Sequence, residues 1–161
     1  MIDLQRDILP LKNVMYRLAL RITQNSQEAE DIVQDVIIKM WKMREELDNV
    51  GNLEAYALRS ARNLAIDRQQ LKVNQTEDIE GIEIEGNTSI EHDIVQRERL
   101  QTIHDMMLQL PEKQRTAMQL RDFEGRSYKE ISDVMQISED QVKINIFRAR
   151  KFIKSKIEGR V

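Results

Sequence analysis

The sequence predicts an all-α fold of two small helical domains joined by a flexible acidic linker, the second domain ending in a helix-turn-helix. Strong helix formers and apolar residues at helical spacing dominate residues 1–73 and 97–161. Between them, residues 74–96 hold seven acids, no Lys or Arg, and no regular apolar stripe. Near the C-terminus, Ser127 with Glu130 and Ser138 with Gln141 repeat the spacing of a capping box. There a Ser accepts from a free backbone N–H and the residue three on reaches back, so two helix starts are marked in close succession.

In the first domain, Leu11, Val14, Met15, Leu18 and Ile22 form the apolar stripe of a first helix, with Pro10 at its start. A break follows at TQNSQ, with Asn25 or Ser26 as the cap. The second helix, Gln27 to about Leu47, lines Ala29, Val33, Val36, Met40 and Met43 along one face. Its other face carries Asp31, Gln34, Asp35 and Ile38, a mixture that suits a partner surface and equally a solvated face with one exposed isoleucine. The third helix, about Asn52 to Lys72, is expected to bury Leu53, Ala57, Ala61 and Leu64. Opposite them, Arg59, Arg62, Asn63, Ile66 and Gln70 make a second stripe. Arginines hold phosphate, amides read base edges and an apolar side chain can wedge at an unstacked base. Without interleaved aromatics, the same stripe also fits an ordinary salt-bridged surface.

The middle stretch, NQTEDIEGIEIEGNTS, cannot bury enough apolar area to offset chain ordering and reads as a tether. In the C-terminal domain, Pro111 marks another helix start. A short helix, a Gln136-Ile137 turn and a longer basic helix then match the plan for entering a DNA major groove. On the longer helix Val142, Ile146, Ala149 and Ile153 share an inward stripe. The opposite side carries Asp140, Gln141, Ile144, Phe147, Arg148 and Lys151. Ile144 and Phe147 would be out of place on a merely solvated helix, whereas thymine methyls give them a use in the groove. Arg148 and Gln141 suit base edges; Lys143, Arg150 and Lys154 suit phosphates. The alternative is a cationic face, or a helix pair docking on another protein.

Composition narrows the class. Net charge is −3, so the chain is no general cationic coat, and its basic charge is concentrated between Lys143 and Arg160. The absence of cysteine excludes disulfides and thiolate metal sites. No apolar run reaches the roughly 20 residues that span a bilayer, and no signal-peptide pattern opens the sequence, so a cytoplasmic location is expected.

The order of the segments resembles the extracytoplasmic-function (ECF) group of bacterial RNA polymerase sigma factors, in the sigma-70 family. EAEDIVQDVIIKMW at 28–41 is similar to the family's core-binding helix, and AYALRSARNLAIDRQQ at 55–70 to its −10 element helix. LPEKQRTAMQLRDFEGRSYKEIS and VKINIFRARKFIK resemble its −35 element domain. The resemblance spans about residues 5 to 158. It implies a region 2-like domain over 1–73, an acidic linker over 74–96 and a region 4-like domain over 97–161. Asp31, Gln34, Asp35 and Ile38 would hold the β′ clamp helices of core RNA polymerase, with the β flap as a further contact. Arg59, Arg62, Asn63, Ile66 and Asp67 would face the −10 element. Arg121, Tyr128, Gln141, Lys143, Ile144, Phe147, Arg148 and Lys151 would meet the −35 duplex. The implied partners are core polymerase, promoter DNA and an anti-sigma factor, with no cofactor and no small-molecule substrate.

The sequence departs from the family pattern at Ile37, where Phe is common, and in the Met135-Gln136-Ile137 turn, where Gly is common. Ile144 and Asn145 replace positions often polar and basic, which favours thymine methyls over phosphate. Three other readings stand beside the sigma factor. An enzyme would need more than isolated His92 and His104; Glu28, Asp31 and Asp35 could bind metal, but no matching Glu-x-x-His accompanies them. A dimeric repressor explains only the C-terminal third, and the basic Arg148 face argues against a helical adaptor that avoids DNA.

Overall fold

The computed structural model describes residues 1–75 and 102–159. All regular structure among them is helical. A π-helical turn, Leu4–Ile8, capped by the Asp3 side chain, and a 3-10 turn, Leu9–Leu11, which holds Pro10, lead into α1, Lys12–Thr23. Asn25 caps α2, Ser26–Lys42, by accepting from the Glu28 N–H. The predicted second helix is thus broken: α2 ends at Lys42, Met43 leaves helical geometry at φ −98°, ψ 13°, and a single turn, α3, Arg44–Leu47, follows. The break lets Leu47 fold back into the core, where it is 3% exposed. Asn52 opens α4, Leu53–Gln75, by accepting from the Ala55 N–H. Helix α4 therefore takes in the first two residues of the expected linker; residues 76–96 lie outside the described residues.

In the second segment, α5 (102–108) precedes α6, Glu112–Met118, with Pro111 at its N-cap. A π-helical turn, Gln119–Phe123, leads through Gly125 to α7, Tyr128–Met135, and α8, Glu139–Glu158. Both expected capping boxes form, with the Glu130 and Gln141 N–H groups donating to Ser127 and Ser138 at 3.1 Å. Each such cap is worth about 0.5–2 kcal/mol. Between them Gln136 takes the left-handed conformation, φ 56°, ψ 43°, that a helix C-terminus commonly gives to glycine. Its N–H donates to the Ser132 carbonyl, while the Ser132 hydroxyl donates to the Ile137 carbonyl.

Helices α1, α2 and α4 pack into a three-helix core around Met15, Leu18, Ile32, Met40 and Leu58. The expected inner stripe of α4 is adjusted: Ala57 and Ala61 are buried, Leu53 and Leu64 only partly, and Leu58 and Ala65 join them. The N-terminal core continues through Leu58 and Ala55 into Leu120, Ile131, Val134, Val142 and Ile146 of the second segment. A smaller cluster of Met106, Met107, Leu110, Met118, Ala149 and Ile153 holds α5, α6 and α8 together. Helix α7 packs on both α8 and α4, and its Ile131 and Val134 are buried.

Gln136 offers a direct test of the turn. A β-carbon in the left-handed region costs about 1–2 kcal/mol, which glycine avoids while adding freedom to the unfolded chain. Gln136→Gly is expected to stabilise by roughly 0.5 kcal/mol net, read as a higher Tm in thermal unfolding. A lower Tm would contradict the assigned turn.

Candidate nucleic-acid interface

The expected −35 surface is assembled on the outer side of α7 and α8. Capping at Ser138 starts α8 in a fixed direction, and the buried stripe of Val142, Ile146, Ala149 and Ile153 fixes its rotation. That rotation turns Gln141, Lys143, Ile144, Phe147, Arg148 and Lys151 to solvent. Ile144 is 47% and Phe147 66% exposed, a large apolar exposure on the same side as Arg148 and Lys151. Tyr128, at the start of α7, lies between two cations, with the Arg121 guanidinium 4.4 Å and the Lys143 ammonium 5.4 Å from its ring centre. Arg121 also donates to the Arg126 carbonyl at 2.9 Å, so it stands partly buried in a set position. Arg150, expected to suit phosphate, is instead paired with Asp122 on the π-helical turn Gln119–Phe123.

On α2, Asp31, Gln34, Asp35 and Ile38 are all exposed and share one face, Ile38 at 52%. Asp35 accepts from Arg68 of α4 at 2.6 Å, which steadies one end of that surface. Trp41 extends it by one turn, 38% exposed, with the Arg44 guanidinium 4.2 Å from its ring. Sequence reasoning passed over Trp41, although its place seven residues after Gln34 puts it on the same side of the helix. Glu28 pairs with Lys72 and Asp35 with Arg68, and among the described residues no three or more His, Cys, Asp or Glu side chains group as metal ligands.

The α4 stripe departs from expectation. Asn63, Asp67 and Gln70 are exposed, but Arg62 is 8% exposed and Arg59 and Ile66 are half-buried. Arg62 donates twice to Glu112 of α6, at 2.9 and 2.7 Å, and Thr116 donates to the same carboxylate at 2.5 Å. Arg59 donates twice to the Asp133 backbone carbonyl of α7, at 3.1 and 2.8 Å. The expectation that both arginines face outward is corrected: the C-terminal segment packs over them and supplies the acceptors that a buried guanidinium requires. The Glu112 side chain is 25% exposed, so solvent weakens its pair with Arg62 below the strength of a fully buried one.

Further polar links flank this seam. Arg17 of α1 donates to Glu124 at 2.7 and 2.8 Å, with the Glu124 side chain 5% exposed. Arg126 lies 3.0 Å from Glu54 as an ion pair without hydrogen-bond geometry at Nε. Arg21 donates to Gln119 at 2.8 Å and its Nη1 lies 3.5 Å from His104 Nδ1. A guanidinium can only donate, so this contact favours the neutral tautomer with its proton on Nε2.

The seam is consequently acid-sensitive. Burial, then the nearby Arg21, lowers the His104 pKa from the ordinary 6.5; hydrogen bonding from Arg17 lowers that of Glu124 from 4.5 against the effect of burial. Both folded-state values lie below the unfolded ones, so each group's contribution is present above the unfolded value and is lost as pH falls toward the folded one. Thermal unfolding measured across pH is expected to show a falling Tm below about 6.5, then a further fall below about 4.5. His104→Gln should remove the first step and leave the second; persistence of the first in that variant would assign it elsewhere.

Comparison with known proteins matches both segments. The sigma-70 region 2 family model matches residues 8–71, and the sigma-70 region 4 model residues 100–153. The chain is 34% identical to the RNA polymerase sigma-H factor of Pseudomonas aeruginosa, over 91% of this chain and 83% of that protein. It is 30% identical to the ECF RNA polymerase sigma factor SigW of Bacillus subtilis, over 96% and 89%. Among solved structures, the sigma factor RpoE of Bartonella quintana, bound to the anti-sigma factor NepR, superposes with a TM-score of 0.74 at 21% identity, covering 96% of each chain. CnrH in complex with the cytosolic domain of CnrY gives the same score at 16% identity, covering 98% and 89%. With both regions present in family order, the chain belongs to the ECF group of the sigma-70 family and is a promoter-recognising sigma factor of RNA polymerase.

Proposed function

We propose a division of labour along the chain, with residues 1–73 serving core polymerase and the −10 element, residues 74–96 linking, and residues 97–161 serving the −35 element. The observation that carries the −35 assignment is the exposed pair Ile144 and Phe147 beside Arg148 on the outer face of α8. Solvent alone gives two large apolar side chains no reason to sit there, whereas thymine methyls in the major groove do. Gln141 and Arg148 read base edges, Lys143 and Lys151 hold phosphates, and Arg121 on the π-helical turn and Tyr128 on α7 brace the approach. The exposed α2 face of Asp31, Gln34, Asp35 and Ile38 takes the β′ clamp helices, with the β flap as a second contact. Arg59, Arg62, Asn63, Ile66 and Asp67 serve the opened −10 strand once the seam over α4 is released.

The chain does no chemistry of its own, and uses no cofactor and no small-molecule substrate: its contribution is positioning polymerase on promoter DNA in the cytoplasm. An anti-sigma factor is a further partner, a reading supported by the Bartonella quintana relative bound to one. Among the described residues no helix is long and apolar enough to cross a membrane.

Selection from random duplexes, using the full chain with core polymerase, tests the assignment. Arg148→Ala is expected to cost about 1–3 kcal/mol and flatten preference at one base pair. Lys151→Ala should weaken all sequences alike and reduce the salt slope by about 1. Phe147→Ala should relax selection at a thymine position. Uniform weakening by all three would remove base reading from this face.

A further inference from the structure

We propose that the cleft between α1, α5 and the π-helical turn after α6 binds a small oligophosphate anion, free or carried by a nucleotide. Arg21 and His104 would be its donors, Arg115 would add charge from α6, and Phe123 would be its aromatic wall. The site shares no residue with the polymerase and promoter surfaces proposed above, and its ligand is bound, not converted.

The cleft measures about 400 Å³, a size that suits a nucleotide. Leu20, Arg21, His104 and Phe123 line it, together with Gln119 and the Arg17–Glu124 pair. Its cations lack acids of their own. Arg21 donates from Nε to a neutral amide, Gln119, at 2.8 Å, and its Nη1 lies 3.5 Å from His104 Nδ1. Arg115 has a buried Nε with no hydrogen-bond partner among the described residues. The nearby carboxylates are already engaged: Glu124 accepts from Arg17 and from Gln119, and Glu112 from Arg62 and Thr116.

Burial, and then Arg115, lower the Arg21 pKa; burial lowers that of Arg115 against the pull of Glu112. His104 is lowered by burial, then by Arg21 and Arg115, while Asp105 on the same helix acts in the opposite sense. Half-buried like charges without a counter-ion are unfavourable, and an anion among them offsets both burial and repulsion. Phosphate suits the vacancy: a guanidinium fork holds two of its oxygens, and a protonated imidazole donates to a third. Phe123 is 50% exposed, with the Arg21 guanidinium 5.1 Å from its ring centre, and its open ring surface can stack a base. A DNA backbone meets projecting cations such as Lys143 and Lys151; recessed guanidiniums call for a ligand that enters the cleft.

The test titrates the full chain with pyrophosphate, ATP and GTP in phosphate-free, metal-free buffer, by calorimetry and thermal unfolding. His104 is followed by NMR in a His92→Gln background, which removes the other histidine. Binding at a single site is expected, with a raised Tm and a His104 pKa moved upward. Arg115→Gln plus His104→Gln should weaken binding by about 10-fold or more, with helix content unchanged. Arg115→Gln alone should keep or raise the unliganded Tm while reducing the ligand-induced rise, which a purely structural arginine would not do. Tighter binding of ATP or GTP than of pyrophosphate, lost in Phe123→Ala, would assign the site to a nucleotide. Equal affinities would assign it to free oligophosphate. Binding of none of the three would overturn the proposal, as would affinity that survives Arg115→Gln plus His104→Gln. Displacement of pyrophosphate by non-specific duplex DNA would also overturn it, giving these cations to the DNA backbone.

Discussion

A guanidinium withdrawn from water must be paired, and Arg62 meets that demand across the line between the two sequence domains, with Glu112 of α6. The arrangement of the whole molecule follows from this bond and its neighbours. With Arg62, Arg59 and Arg17 anchored in the second segment, α7 is brought against α4, and Ile131 and Val134 are buried in the N-terminal core. The same contact leaves the outer faces of α2 and α8 free, because both lie away from the seam. One interdomain contact thus determines which surfaces are available and which are covered.

The C-terminal helix pair shows the opposite economy, in which local chemistry is sufficient. Two capping boxes set the helix starts, Gln136 makes the reversal, and four buried residues on α8 fix its rotation. Packing on the buried side of α8 presents its outer side chains without their being ordered by one another. Tyr128 adds a second device, gathering Arg121 and Lys143 around one ring so that two like charges converge.

Much of this was legible in the sequence wherever the determinant was local. Ser127, Ser138 and the α8 stripe are short-range patterns, and the structure follows them residue for residue. Exposure of Asp31, Gln34, Asp35 and Ile38 followed from the 3.6-residue period alone. The break at Met43 was not legible, because REEL continues the helix-forming composition and only the burial of Leu47 demands the turn. Nor was the covering of Arg62 and Arg59. Glu112 stands fifty residues beyond Arg62, and the acceptor for Arg59 is a backbone carbonyl, which carries no residue signature. A polar helix face reads as solvated unless the acids of a distant segment are known to meet it.

The central claim is that the exposed α2 face ties this sigma factor to polymerase, and it is tested most directly by binding of the purified chain to bacterial core RNA polymerase. Wild type is compared with an Asp31→Arg plus Asp35→Arg variant whose helix content is checked by circular dichroism. Tight binding by the wild type and its loss in the variant is the predicted result. Equal binding by both would contradict the placement of the interface on α2, and failure of the wild type to bind would contradict the account as a whole.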